Sequence, residues 1–101
     1  MICVLATLKT APGRRDDLLA IFRILAPKVR AEKGCIEYGP MTDAATNLAP
    51  VRPDVVTVVE KWESVAALET HLQTPHMVDF RKQTGPMRLA MSLQILESAA
   101  F

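Results

Sequence analysis

The sequence predicts an α+β fold, a ferredoxin-like βαββαβ unit built on one antiparallel sheet. Three observations predict it. Apolar, β-rich segments and helical patterns follow one another in the order strand, helix, strand, strand, helix, strand. Turn signals at Pro12-Gly13, Gly34 and Gly85-Pro86 separate them. A length of 101 residues, half of them hydrophobic but only 5% aromatic, suits one domain over residues 1–101 with an aliphatic core.

Ile2 to Lys9 is apolar and β-rich, and reads as the first strand. From Arg14 to Lys33 the period changes: Leu18, Phe22, Leu25 and Val29 recur at three and four residues, the stripe of an amphipathic helix. Asp16 and Asp17 fall in its first turn, where the helix dipole favours negative charge. Pro27 removes a backbone donor inside this pattern and predicts a kink or break between Arg23 and Pro27, and Gly34 is the expected C′ residue. Cys35 to Met41 and Val55 to Trp62 are the next two strands, joined by a connection from Thr42 to Asp54 that is long for a hairpin. Ser64 is the expected cap of a short helix from Val65 to Leu72. Thr74-Pro75 repeats the signal for a second piece ending near Gln83. Leu89 to Glu97 closes the order as a fourth strand.

Composition excludes several classes. A net charge of +1 with scattered Lys and Arg offers no basic stripe for nucleic acid. No apolar run approaches the ~18 residues that span a bilayer, and Met1 to Lys9 lacks the pattern of a signal peptide. Cys3 and Cys35 read as free, small hydrophobes. A soluble, cytoplasmic protein is expected.

The strands also carry too much apolar surface for a sheet with one wet face. Val55 and Val59 are apolar, and so are Val56 and Val58 on the opposite face. No spare element exists to cover the side away from the helices, so a second copy of the sheet is expected there, in a face-to-face homodimer.

The segment from Glu60 to His76 concentrates the only tryptophan and both histidines. Its motifs Glu60-Lys61-Trp62-Glu63-Ser64, Ala67-Leu68, His71 and Thr74-Pro75-His76 resemble the signature of the antibiotic biosynthesis monooxygenase domain family. Glu32-Lys33-Gly34-Cys35-Ile36-Glu37-Tyr38 resembles that family's second recurrent stretch. The resemblance covers nearly the whole chain. It implies a dimeric α+β barrel whose subunits each hold a pocket between sheet and helices. It also implies one of several activities: cofactor-independent oxygenation of quinols or anthrones, haem degradation, or isomerisation of a small phosphorylated signal molecule. The first strand reads Leu5-Ala6-Thr7-Leu8 and lacks the asparagine of the haem-degrading relatives, which weighs against haem.

The residues themselves support the first activity. An oxygenase without metal or flavin uses its substrate as electron donor, so it needs a base for a phenol and an apolar, water-poor pocket. His76, at a helix start with orphan N–H groups, is the first candidate for that base and His71 the second. Trp62, Tyr38, Asn47 and Glu60 are the candidates for lining a substrate site. Each has a structural alternative: Trp62 as a core anchor, Asn47 as a solvated loop tip, and Glu60 as half of an ion pair with Arg or Lys, the role favoured for it. Arg52 and Arg81 could meet an anionic group or stay solvated. No metal is expected, since His71 and His76 are five apart across Thr74-Pro75, and no nucleotide loop exists. The expected partners are a small aromatic substrate, dioxygen and a second copy of the chain, with no cofactor. Isomerisation with the same base, or binding without turnover, are the alternatives.

Overall fold

The computed structural model describes residues 1–100. Its elements run β1 (Ile2–Thr10), α1 (Arg15–Arg30), β2 (Cys35–Met41), β3 (Val55–Trp62), α2 (Val65–Leu72), α3 (Pro75–Thr84) and β4 (Arg88–Leu96). The four strands form one antiparallel sheet in the order β2-β3-β1-β4, the ferredoxin-like α+β arrangement.

Register decides which residues share a face. Val4 pairs with Glu60, Ala6 with Val58 and Leu8 with Val56. All six are buried, on the face the helices cover. From α1 come Leu18, Phe22, Leu25, Ala26 and Val29; α2 adds Leu68 and His71; α3 adds Met77 and Phe80. The Phe22 and Phe80 rings meet at 5.0 Å, joining α1 to α3 in the core.

The helix ends follow their caps. Ser64 Oγ accepts the N–H of Ala67 at 3.1 Å and starts α2. Thr74 Oγ1 accepts from the Met77 N–H and itself donates to the His71 carbonyl, so one residue closes α2 and opens α3. Two expectations for α1 change. The helix runs unbroken through Pro27, because the buried side chains Leu18, Phe22, Leu25, Ala26 and Val29 hold it to the sheet. It ends at Arg30 and is capped by Ala31, three residues before Gly34. Gly34 instead turns the chain into β2 with φ +86°, a left-handed conformation that suits glycine.

No helix packs squarely over β4. Its Met91, Leu93 and Ile95 share the helix-covered face with Leu8, Ala6 and Val4, yet stay 51%, 45% and 53% exposed. This leaves the space between sheet and helices open along one flank. On the opposite face, Cys3, Leu5, Thr57 and Val59 are half-buried. The connection from 42 to 54 is mostly exposed and is tied by Arg52 to both oxygens of Asp43. No helix among the described residues is long and apolar enough to cross a membrane.

Candidate active site

The turn after α1, the last turn of α2 and the start of α3 meet over β2 and β3 through one carboxylate. Glu32 Oε2 accepts from His71 Nδ1–H and from His76 Nε2–H, each at 2.8 Å. A carboxylate only accepts, so both nitrogens carry hydrogen in this arrangement. For His71 that fixes the tautomer and leaves the Nε2 lone pair on the other edge of the ring. Burial lowers the His71 pKa against the opposing pull of Glu32, which favours the neutral imidazole.

His71 is 2% exposed and wedged between aromatic rings. Trp62 lies 4.6 Å away at 35°, and Tyr38 meets it edge-on at 5.8 Å. Trp62 Nε1–H donates to Glu60 Oε1 at 3.0 Å, so β3 places Glu60 and Trp62 two residues apart on one face and joined to each other. The favoured ion pair for Glu60 is not formed. Among the described residues no Lys or Arg reaches it, since the strands beside it present Val4 and Tyr38 there. Burial, helped by the like charge of Glu32, raises its carboxyl to about 7 against the Trp62 hydrogen bond. Burial first, then Glu60 and Glu32, raises the Tyr38 hydroxyl far above the usual phenol range, so it remains a donor. The Cys35 thiol is also raised by burial and by these carboxylates, which does not suit a nucleophile.

His71, Tyr38 and Glu60 line one cavity of about 80 Å³ whose other walls include Val58, Phe80 and Met91. That is smaller than the ~150 Å³ apolar cavity known to admit benzene, so a ring would extend toward the open β4 flank. Arg81 and Arg88 also border it. Arg81 donates to the Leu72 carbonyl at 3.0 Å, which ties α3 to the end of α2. His71 Nε2, the Tyr38 hydroxyl and Glu60 Oε2 have no hydrogen-bond partner among the described residues. None of the described side-chain polar atoms is both sealed and unpartnered, so these three atoms keep some accessible surface, and their residues line the cavity.

The candidates thus separate. His71, Tyr38 and Glu60 share the cavity. Trp62 is fully buried and backs His71 without forming part of the wall. His76 reaches Glu32 from outside and lines a separate groove between α1 and α3, beside Lys28 and Asp79. Asn47 is exposed in the 42–54 connection and lines none of these spaces. Glu32 had not been singled out as a residue, although it opens the Glu32–Tyr38 stretch. What was missing was its pairing with histidines 39 and 44 positions away. The ligand atoms of Glu32, His71 and His76 lie within 4.8 Å of one another, a two-histidine, one-carboxylate donor set that could take a divalent ion. The two hydrogen bonds to Glu32 account for the same atoms without one.

Residues 1–83 match the model of the family described as Antibiotic biosynthesis monooxygenase. The chain is 39% identical to the Escherichia coli (strain K12) protein named "Probable quinol monooxygenase YgiN", over 96% of this chain and 97% of that one. Among solved structures, PA3566 from Pseudomonas aeruginosa superposes with a TM-score of 0.82 at 27% identity, covering 98% of this chain and 94% of that one. The structure of Rv0793 from Mycobacterium tuberculosis gives 0.83 at 24% identity over 99% and 96% of the two chains, a likeness of fold.

Proposed function

Because the chain belongs to the antibiotic biosynthesis monooxygenase family, we propose that it oxygenates a small phenolic or quinol-type substrate with dioxygen and without a cofactor. The observation that carries this reading is the convergence of His71 Nε2, the Tyr38 hydroxyl and Glu60 on one largely apolar cavity. The name of the Escherichia coli relative supports the substrate class.

His71, neutral and held by Glu32, takes the phenol proton at Nε2. His76 positions Glu32 from the far side and so holds the tautomer of His71. The resulting phenolate is electron-rich enough to pass one electron to dioxygen. The apolar walls keep water from the pair of radicals until a ring carbon–oxygen bond forms. Cleavage of the O–O bond then yields hydroxyquinone and water, so quinol plus O2 balances in atoms and electrons. Tyr38, kept protonated, hydrogen-bonds the developing oxyanion. Asn47 would join the site only by movement of the 42–54 connection.

We propose further that the working form is a homodimer joined through the sheet faces, supported by Leu5 and Val59 on the face away from the helices. A cytoplasmic location accords with the two free cysteines.

Quinol-dependent oxygen uptake tests the reading. The expected result is uptake insensitive to chelators, a product quinone carrying one added oxygen, and a loss of about 100-fold or more in His71→Ala. Conversion of substrate under argon would instead mean an isomerase. Saturable binding with no turnover in air would mean a binding protein.

A further inference from the structure

Glu60 is a buried carboxyl group for which the fold provides one hydrogen bond and no counter-charge. It is 5% exposed, has no cationic partner among the described residues, and the nearby charge that acts on it is Glu32, of the same sign. Withdrawing such a group from water without a counter-charge opposes folding, so a structural role does not explain it. Its one side-chain bond, from Trp62 Nε1–H, occupies Oε1 and fixes the orientation of the group. Oε2 has no partner among the described residues, and Glu60 lines the cavity together with His71 and Tyr38.

We propose that Glu60 is a second proton acceptor: of the two hydroxyls of a quinol-type substrate, one is bound at His71 Nε2 and the other at Glu60 Oε2. This rests on the oxygenase reading above and narrows it. One hydroxyl proton passes to His71 and the other to Glu60, and both leave in the water formed from the second oxygen atom. The doubly deprotonated ring gives up its first electron to dioxygen more readily than a singly deprotonated one. With its carboxyl raised to about 7 by burial, Glu60 is poised to take and return a proton near neutrality. The titratable and charged groups facing it are Tyr38 from β2, His71 from α2, Glu32 beyond α1, Arg81 from α3 and Arg88 from β4.

Trp62 is the only tryptophan and touches both His71 and Glu60, so its fluorescence reads occupancy of the cavity. The 101-residue protein is titrated under argon with hydroquinone, catechol and the monomethyl ether of each. In the wild type at least one diol should bind about tenfold or more tighter than its ether, with the preference growing as pH rises through about 7. In Glu60→Gln the preference should fall below about twofold. Equal binding of diol and ether by the wild type, no binding of either diol, or a preference that survives Glu60→Gln overturns the inference. The wild-type preference and its pH dependence require no variant and decide the matter if Glu60→Gln does not fold. Oxygen uptake with the same diols separates the two readings. Glu60-dependent binding without uptake overturns the oxygenase and leaves the diol site standing. Uptake that is unchanged in Glu60→Gln does the reverse.

Discussion

Below about pH 4.5 the Glu60 carboxyl is protonated in both the folded and the unfolded chain, and its burial then has no electrostatic consequence. Between about 4.5 and about 7 the unfolded chain releases that proton while the folded chain keeps it, so stability falls as pH rises through this window. Above it the loss is complete and amounts to something on the order of 3 kcal/mol. Glu60→Gln removes the charge and keeps an acceptor for Trp62. It should therefore be more stable than the wild type by a few kcal/mol near pH 8 and nearly equal to it near pH 4. Urea unfolding at the two pH values checks this, and equal differences at both would show that the group is not held protonated. The His71–Glu32–His76 arrangement makes a second claim at this scale. His76→Gln should lower kcat for quinol-dependent oxygen uptake by roughly tenfold, less than His71→Ala, because it loosens Glu32 without removing the base. Equal losses in the two variants would mean that both histidines meet the substrate.

Among the elements, α2 carries the proposed base, and its placement depends on a close approach at Gly34. The Glu63 N–H donates to the Gly34 carbonyl at 2.9 Å, and a Cβ at position 34 would sit 2.7 Å from the Ala67 Cβ. Gly34 is also in the left-handed region at φ +86°. Gly34→Ala therefore meets both backbone strain and a clash, and should destabilise the fold by about 1–3 kcal/mol. The clash pushes the start of α2 away from the turn that carries Glu32, so quinol turnover should fall further than the lost stability accounts for. Thermal unfolding alongside oxygen uptake well below the midpoint tests this. Normal kcat in the folded fraction would separate Gly34 from the site. The equivalent Gly13, at φ +79° with nothing near its missing Cβ, lacks the steric half of this argument.

For the whole molecule, the proposed homodimer rests on the sheet face opposite the helices. Leu5 and Val59 are paired neighbours at its centre, with Thr7 and Thr57 beside them and the Lys61–Glu37 ion pair toward one end. A homodimer through this face has a mass of about 22 kDa, twice 11.1 kDa. Light scattering should find that mass at micromolar concentration, and Val59→Lys should shift it toward the single chain by placing an unpaired charge between the sheets. A wild-type mass of one chain would sink the face-to-face assembly. The helix-side cavity lies on the other face of the sheet, so the active-site geometry described above would survive that result.

Much of this protein is legible in one dimension because it is periodic or local. The three-and-four spacing from Leu18 to Val29, the Ser64 and Thr74 caps and the strand bounds Cys35–Met41 and Val55–Trp62 need only neighbouring residues, and they fixed the order of elements. Pro27 misled because the local loss of one hydrogen bond is smaller than the packing of α1 on the sheet, which a local pattern does not contain. The site divides in the same way. Its residue types, an acid with both histidines, the one tyrosine and the one tryptophan of the chain, were visible in the sequence. That one oxygen of Glu32 receives both histidines, that His71 faces the cavity while His76 faces away, and that Glu60 has no cation beside it were decided only when three helices closed over the sheet. Hydrogen-bond partners 39 and 44 residues apart have no spacing that a chain can advertise; distance in space is set by the fold as a whole.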